Sequence, residues 1–222
     1  MLKREIITTS DGSKTIRIAD WNEQYHSVHG AIQEAYHVFI KNGLTLFRDR
    51  DLSILEIGFG TGLNAFITLL ESQKYGLDIK YRGIEAYPIA EGEWGQLDYP
   101  ADLDAVDRGS FFLKMHQAPW ERPYAITDNF QLWKQKKDFR NISDMAEYDL
   151  IYFDAFGSRV QPELWTESIF NTMYQALRPG GILVTYAAKG TVRRAMQTVG
   201  LKVERLPGPP GKREMLRAVK EM

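Results

Sequence analysis

The sequence contains no cysteine, no long apolar run and almost no net charge, and each absence excludes a class of protein. Without cysteine the chain forms no disulfides, thiolate metal sites or cysteine nucleophile, which fits a reducing compartment. No apolar stretch approaches the length of a membrane span, and the N-terminal residues lack the apolar core of a secretion signal. With a formal net charge of −1, no whole-molecule field attracts nucleic acid. We therefore expect a cytoplasmic protein without a membrane partner.

The most informative segment that is present is LEIGFGTGLNAF, residues 55–66. A short apolar strand, residues 53–57, runs into three glycines at every second position and then into a helical run. Glycine is needed where a chain turns sharply and its backbone approaches a ligand closely. This glycine spacing, with an acid two residues before it, is typical of S-adenosylmethionine methyltransferases rather than of dinucleotide oxidoreductases. The predicted cofactor contacts in this segment are Glu56, Gly58, Phe59, Gly60, Gly62 and Asn64.

An acid at the end of the next strand supports this interpretation. Residues 80–84 (KYRGI) are predicted to form the second strand, and Glu85 follows directly. A carboxylate there is placed to accept hydrogen bonds from both hydroxyls of a ribose. It lies about 20 to 30 residues beyond the glycine turn, as a βαβ unit requires. The alternative for the glycine segment alone is an ordinary strand–turn–helix corner.

Apolar strands alternate with helices along the middle of the chain. Beyond the two strands already named, strands are predicted over residues 130–134, 149–153 and 181–186. The alternation predicts a doubly wound, mainly parallel α/β sheet in a single domain of residues 1–222. Ligands of such sheets bind outside the carboxyl ends of the strands, where the glycine turn, Glu85 and Asp154 fall.

Other segments surround this predicted core. An N-terminal extension, residues 1–50, contains a small hairpin and a helix over residues 30–41. An aromatic, helical insertion near the ligand edge, residues 91–127, either covers a substrate or packs on its own aromatic side chains. A helix over residues 166–177 precedes the last parallel strand. The hairpin is formed by residues 3–9 and 14–18, and a closing antiparallel pair by residues 202–206 and 214–219.

Asp154 ends the fourth strand, in the segment DLIYFDAF, and faces the reactive end of the cofactor. Because a sulfonium is already an activated methyl donor, the enzyme has to align the acceptor and keep its lone pair free. A carboxylate at that point can hydrogen-bond an amine and accept its proton. Asp154 is therefore the predicted catalytic residue, and a strand-end or helix-capping acid is the alternative.

Two more acids are candidates for the cofactor site. Asp138 follows the third strand, where an acid or amide can bind an adenine amino group, with Asp128 and Asn129 as alternatives. Glu34 lies on the N-terminal helix and is a candidate for the methionyl amine, or else a solvated surface residue.

The histidines do not form a metal motif. His26, His29 and His37 lie near one another in the chain, but the sequence has no H-E-x-x-H spacing and no cysteine. We therefore predict no metal.

Basic residues dominate the C-terminal end, where nine lysines and arginines after residue 188 face only three glutamates. Such a stripe on a nearly neutral protein is typical of a local nucleic-acid footprint or of a solvated face. The predicted nucleic-acid contacts are Lys189, Arg193, Arg194, Lys212 and Arg213.

Five segments, residues 20–39, 55–66, 152–165, 184–194 and 208–218, together resemble the methyltransferase domain of the MnmC family. These are the tRNA 5-methylaminomethyl-2-thiouridine modification enzymes. The glycine motif is generic to methyltransferases, whereas the DAF, KG-x-VRR and GKREM segments are far more specific. The resemblance extends over nearly the whole chain.

The resemblance implies a class I, Rossmann-like methyltransferase fold with S-adenosylmethionine as cofactor and tRNA as partner. The implied reaction is N-methylation of the 5-aminomethyl group of a wobble uridine, with Asp154 as the catalytic residue. That group is mostly protonated at neutral pH, so a carboxylate beside it has a proton to remove. Well-known members also carry a flavin-dependent oxidoreductase. This sequence has no second glycine fingerprint, so we expect methylation only, no flavin, and a separate enzyme that supplies the amine.

Other functions stay open on the sequence alone. Aminopropyl transfer of the spermidine synthase kind uses a similar glycine turn and aspartate, but needs further acids, and QPELWTES offers only Glu163 and Glu167. Methyl transfer to a small-molecule amine is a second alternative. A non-catalytic tRNA-binding relative is a third, although the intact glycine turn, Glu85 and Asp154 argue against it.

Overall fold

Two β-sheets and seven α-helices make up the computed structural model, which describes residues 3–222. The strands are β1 (Arg4–Thr8), β2 (Lys14–Ile18), β3 (Glu23–Gln24), β4 (Arg50–Ile57), β5 (Leu77–Glu85), β6 (Pro123–Thr127), β7 (Phe130–Lys136), β8 (Tyr148–Phe153), β9 (Leu177–Thr185), β10 (Leu201–Pro207) and β11 (Glu214–Lys220). The helices are α1 (Ala31–Ala35), α2 (Leu63–Ser72), α3 (Glu91–Trp94), α4 (Tyr99–Asp102), α5 (Gly109–Gln117), α6 (Glu167–Ala176) and α7 (Gly190–Thr198). Within the described range, no helix has the length and apolarity needed to cross a bilayer.

The large sheet has eight strands in the order β10-β11-β9-β8-β4-β5-β7-β6. Its five central strands, from β9 to β7, are parallel, whereas β6, β10 and β11 pair antiparallel at the two edges. The order reverses beside β4, because the chain runs outward to β5 on one side and to β8 on the other. The predicted doubly wound, mainly parallel sheet is therefore confirmed.

Burial on both faces explains why the central strands are so apolar. In β4, Leu52 and Ile54 pack into one hydrophobic cluster while Leu55 and Ile57 pack into another. Successive side chains of a strand point to opposite faces, so the two clusters lie on the two sides of the sheet. All six residues of β8 are buried. This double burial positions the strand ends that carry Gly58, Glu85 and Asp154.

The N-terminal extension is more elaborate than the predicted hairpin. Strands β1 and β2 pair antiparallel as expected, and the two-residue β3 adds a third strand to β2. The helix predicted over residues 30–41 is α-helical only through α1 and continues as a π-helix over Tyr36–Lys41. Apolar spacing predicts a helix there but does not distinguish the two hydrogen-bond patterns.

The insertion over residues 91–127 is mostly helical, as predicted, but ends in a strand. Helices α3, α4 and α5 are followed by β6, which pairs with the edge of the sheet through β7. The first three residues of β6 are exposed. Its sequence therefore lacks the alternation of apolar and polar residues that predicts a strand.

Strand β9 begins four residues earlier than predicted, at Leu177. Its pairing with β8 shifts between Tyr148, opposite Leu177, and Leu150, opposite Ile182. The extra residues are 177–180, most of them in the RPGG segment that follows the predicted helix, and they form an irregularity within the strand. There Arg178 donates a hydrogen bond to the Asp149 carboxylate at 2.8 Å.

Gly83 sits at the packing contact between the glycine turn and the sheet. It lies within β5, and a Cβ atom at this position would lie 2.4 Å from Cδ2 and 3.1 Å from Cβ of Phe59. The Phe59 ring therefore packs directly on the strand, and only glycine leaves room for it.

We predict that Gly83→Ala lowers the free energy of unfolding by about 1 to 3 kcal/mol, because the added methyl group forces Phe59 from its position. Urea denaturation measures the effect. Gly92→Ala is the matched control: its added Cβ would meet no atom within 4 Å, and because alanine favours a helix it should be as stable as the wild type or up to about 1 kcal/mol more stable. A Gly83→Ala protein as stable as the wild type would contradict the described packing.

Candidate active site

A cleft of about 1000 Å³, including its open mouth, lies at the carboxyl ends of β4, β5, β7 and β8. This is the edge at which doubly wound sheets bind ligands. The cleft wall is formed by the glycine turn, by the residues after β5, β7 and β8, and by the N-terminal sheet. The predicted site residues that line it are Gly58, Phe59, Gly60, Asn64, Glu85, Asp138 and Asp154.

Gly58 lets β4 and β8 approach each other where both strands end. Its φ is +90°, and a Cβ atom there would lie 2.6 Å from the carbonyl oxygen of Asp154. The Asp154 amide donates to the Ile57 carbonyl at 2.9 Å. The first glycine of the motif thus serves the junction between two strands, and through it the placement of Asp154.

Glu85 is anchored at the cleft wall by backbone amides. Its Oε2 accepts a hydrogen bond from the Gly60 amide at 3.1 Å, and its Oε1 accepts one from the Tyr87 amide at 2.8 Å. Burial raises the pKa of Glu85 above its ordinary value, and these two amide hydrogen bonds oppose that rise. Each carboxylate oxygen has a second lone pair, so the fixed carboxylate can still accept hydrogen bonds from a diol.

Asn64 connects the two acids at the floor of the cleft. Its amide nitrogen donates to Glu56 Oε1 at 2.9 Å and to Asp154 Oδ2 at 2.8 Å. An amide NH₂ has two hydrogens, so both bonds form at once. Glu56 is fully buried and does not line the cleft, and burial raises its pKa well above the ordinary value. Glu56 therefore supports Asn64 from below.

Asp154 has the electrostatic setting of a general base that works near neutral pH. Burial raises its pKa to about 7; the charge of Glu34 adds to this rise, while the Asn64 hydrogen bond and Lys212 oppose it. Within residues 3–222, hydrogen bonds engage only Oδ2. The other oxygen is available to a ligand. A base whose pKa lies near the working pH transfers protons most effectively.

Asp138 lines the cleft but is tightly held by Arg140. Its Oδ1 accepts from the Arg140 backbone amide and Nε, both at 2.9 Å, and its Oδ2 accepts from Nη2 at 2.6 Å. The Arg140 hydrogen bonds lower its pKa. The alternatives Asp128 and Asn129 precede β7, at the opposite end of that strand, so only Asp138 stands at the ligand edge.

Glu34 is buried, and it forms an ion pair instead of facing solvent. It is 6% exposed, its Oε2 accepts from the Ser27 amide at 2.8 Å, and its Oε1 pairs with Lys212. The Lys212 ammonium also lies 3.9 Å from the centroid of the Tyr186 ring. Lys212 therefore turns inward, whereas the sequence predicts it as one of the nucleic-acid contacts. Its partner Glu34 is 178 residues away in the chain.

The N-terminal sheet forms one wall of the cleft, which the sequence motifs do not reveal. Trp21, Tyr25 and His26 line it, and the rings of Trp21 and Tyr25 pack edge-on against Phe156 at 5.7 and 4.9 Å. Burial lowers the pKa of His26 to about 4, so its imidazole is neutral. The one signal for these residues is that the segment 20–39 carries part of the family resemblance.

Some predicted residues lie behind the cleft wall. Gly62, like Glu56 and Glu34, is not among the lining residues, and the same holds for the insertion over residues 91–127. The insertion instead contacts the glycine turn from behind, because Tyr99 Oη donates to Thr61 Oγ1 at 3.1 Å. His116 Nε2 lies 3.1 Å from the Thr61 carbonyl oxygen.

Four basic residues near the ligand edge, of which Arg193 is partly buried, have no acidic partners in the described part of the chain. Among the described residues, no carboxylate lies within 4 Å of the side-chain nitrogens of Lys189, Arg193, Arg194 or Arg213. Glu204 and Glu214 pair with Arg217 and Arg205 instead. The Arg193 Nε is buried without a hydrogen-bond partner. Across residues 3–222, no three His, Asp or Glu side chains are grouped to hold a metal.

Comparison with known proteins finds similarity to methyltransferases. Residues 128–221 match the model of a family described as S-adenosyl-L-methionine-dependent methyltransferase. Over 213 aligned residues the chain is 32% identical to the tRNA 5-methylaminomethyl-2-thiouridine biosynthesis bifunctional protein MnmC of Cupriavidus necator. The alignment covers 88% of this chain and 31% of the relative, so the chain spans about a third of that protein.

Solved structures show the same fold. The crystal structure of MnmC2 from Aquifex aeolicus matches 98% of this chain and 70% of its own, with a TM-score of 0.76 and 25% identity. Spermidine synthase from Thermotoga maritima matches 99% of this chain and 69% of its own, with a TM-score of 0.62, but its 13% identity shows the fold alone. The fold is thus the predicted class I, Rossmann-like one. The family model over residues 128–221, the sequence match and the structural match all show similarity to S-adenosyl-L-methionine-dependent methyltransferases and to MnmC proteins.

Proposed function

We propose that the protein transfers a methyl group from S-adenosylmethionine to the 5-aminomethyl group of a wobble uridine in tRNA. The observation that carries the proposal is the position of Asp154. This carboxylate stands at the end of β8 in the cleft wall, is fixed through one oxygen by Asn64, and has a pKa of about 7. Those properties suit the removal of a proton from an alkylammonium group near neutral pH.

The cleft residues fit the cofactor. Glu85, held by two backbone amides, would accept the ribose hydroxyls, and Asp138 with Arg140 would stand at the adenine end. The backbone of Gly58 and Gly60 would contact the cofactor between the positions of Glu85 and Asp138. The cofactor supplies an activated methyl group. Glu56 and Gly62 would then act indirectly, by supporting Asn64 and the start of α2.

The acceptor nitrogen requires deprotonation before it can be methylated. A primary alkylamine has a pKa near 10, so it reaches the site as an ammonium ion. Asp154 would accept one proton through its free oxygen, which leaves the nitrogen lone pair available for the methyl group. The named relative from Cupriavidus necator acts in tRNA 5-methylaminomethyl-2-thiouridine biosynthesis, and this chemistry requires an amine of that kind.

The tRNA would bind at the ligand edge beside α7. This helix follows β9 at the carboxyl end of the strand, and Lys189 precedes its first turn. Lys189, Arg193, Arg194 and Arg213 supply positive charge that no protein carboxylate neutralises within the described residues. Phosphates would therefore find unpaired cations there. A tRNA substrate also implies a cytoplasmic location.

Aminopropyl transfer is the second candidate. The fold of a spermidine synthase covers nearly all of this chain, and Glu163 lines the cleft as an acid that could hold a polyamine. Decarboxylated S-adenosylmethionine distinguishes the two reactions, because only an aminopropyl transferase uses it as a donor.

The Asp154→Asn variant is expected to keep most of its S-adenosylmethionine affinity and to lose about two to four powers of ten in turnover, because an amide cannot accept the proton. Calorimetric titration and methylation of tRNA that carries 5-aminomethyluridine measure the two effects. Asp128→Asn, at the far end of β7, is the matched control and should behave like the wild type. Near-normal turnover of Asp154→Asn would refute the assigned role.

The same variant should change the pH dependence of stability. The Asp154 pKa is about 7 in the folded protein and 3.8 in an unfolded chain. Between these two pH values the carboxyl group is therefore protonated in the folded protein and ionised in the unfolded chain. The wild type therefore loses stability as pH rises from about 4 to about 7, whereas an asparagine cannot ionise.

Urea unfolding at pH 5 and pH 8 provides this test. The stability of Asp154→Asn relative to the wild type should increase from pH 5 to pH 8. A difference that stays constant would show that Asp154 has an ordinary pKa.

Replacing Arg193 and Arg194 by glutamate should weaken tRNA binding strongly and leave S-adenosylmethionine affinity nearly unchanged. Each lost phosphate contact should reduce the salt dependence of binding by about one unit. The matched control is Arg48→Glu with Lys80→Glu, which makes the same charge change at two exposed cations without a carboxylate partner among the described residues, away from the ligand edge. Equal salt dependence in the arginine variant and the wild type would exclude α7 from the tRNA site.

A further inference from the structure

The Lys212 ammonium occupies a position suited to a primary ammonium ligand. Lys212 belongs to the turn between β10 and β11, and its side chain reaches inward to Glu34 and to the face of the Tyr186 ring, 3.9 Å away. A carboxylate together with an aromatic face is a combination that binds organic ammonium ions. The groups around Lys212 therefore have the chemistry of a binding site.

This cluster is continuous with the candidate catalytic residue. Tyr186 Oη donates to the carbonyl of Ala155 at 2.8 Å, immediately after Asp154 in the chain. The charges of Glu34 and Lys212 both act on Asp154, which places the three groups within electrostatic reach of one another. Glu34 is 6% exposed and has one oxygen bound to the Ser27 amide, so its other oxygen needs a cation.

We propose that Glu34, Asp154 and Tyr186 form the binding site for the acceptor ammonium group, and that Lys212 occupies this site when the acceptor is absent. The inference rests on the proposed function, in which the acceptor is a primary alkylamine. One ammonium ion replaces another, so Glu34 is never left buried without a partner, a state that costs several kcal/mol in proteins.

The position of Lys212 fits such an exchange. Its side chain is 31% exposed and is carried on a surface turn, which two backbone hydrogen bonds close: Lys212 to Pro209 at 2.9 Å and Gly208 to Arg213 at 3.1 Å. A long, flexible lysine can leave Glu34 and Tyr186 without any movement of the turn. Once outside, it would lie beside the exposed Arg213. The same residue would then fill the acceptor site in the free protein and add to the basic surface in the complex.

Chemical rescue tests the proposal without cofactor or tRNA. Lys212→Met should lower the unfolding temperature because Glu34 loses its cation. Methylammonium chloride should then restore stability saturably, by about 2 to 4 °C, the size expected for a roughly fivefold shift of the folding equilibrium in a chain of this length. Sodium chloride and tetramethylammonium chloride at equal ionic strength are controls, since neither supplies an N–H donor.

The double variant Lys212→Met with Glu34→Gln is the matched protein control and should show no response to methylammonium. Equal responses in the single and double variants, or none in either, would overturn the proposal. In the wild type, methylammonium should increase acetylation of Lys212 by acetic anhydride relative to that of the exposed Lys202 in the same sample, as measured by peptide mass spectrometry, whereas sodium chloride should not; the ratio corrects for the anhydride that methylamine itself consumes. This second measurement tests the site even if Lys212→Met fails to fold. A positive rescue without any tRNA methylation would refute the proposed function alone.

Discussion

The side-chain amide of Asn64 holds together the two acids around which the cleft is arranged. It donates to Glu56 beneath the cleft and to Asp154 in its wall, and so joins β4, α2 and β8 at the ligand edge. Without that amide, two carboxyl groups would face each other in a poorly hydrated site, where like charges strongly disfavour ionisation. The placement of Asp154 and its one free oxygen depend on this arrangement, and the Asn64 hydrogen bond limits the rise in pKa that burial causes.

The carboxylates around the cleft are paired with different kinds of groups, and these differences indicate different roles. Glu85 is held by backbone amides, Glu34 by Lys212, and Glu56 by Asn64. Asp154 has one hydrogen bond, from Asn64, and the neighbouring charge of Glu34 is only partly balanced by Lys212. A carboxylate left in that state destabilises the folded protein above neutral pH, and the same property makes it an effective proton acceptor. Stability and proposed function are thus opposed at a single residue.

The sequence predicts those parts of the molecule that depend on local pattern. The apolar strands, the glycine turn, and the acids at the ends of β5 and β8 follow from periodicity and from the rule that ligands bind at strand ends. Contacts between distant segments are not predictable in this way. The pairing of Glu34 with Lys212 spans 178 residues, and the cleft wall formed by Tyr25 comes from a separate small sheet. Strand β6 is not predictable because its first three residues are exposed and show no apolar alternation. The irregular start of β9 is not predictable because its RPGG segment lacks the apolar alternation of a strand.

The most direct measurement of the central claim is methyl transfer to tRNA in vitro. Purified protein and S-adenosylmethionine are incubated with tRNA that carries 5-aminomethyluridine at the wobble position, and the nucleosides are then analysed by mass spectrometry. The account predicts that this nucleoside gains one methyl group, that unmodified uridine gains none, and that decarboxylated S-adenosylmethionine does not serve as donor. An unchanged wobble nucleoside in the presence of protein that binds S-adenosylmethionine, or methylation of a different nucleoside, would contradict it.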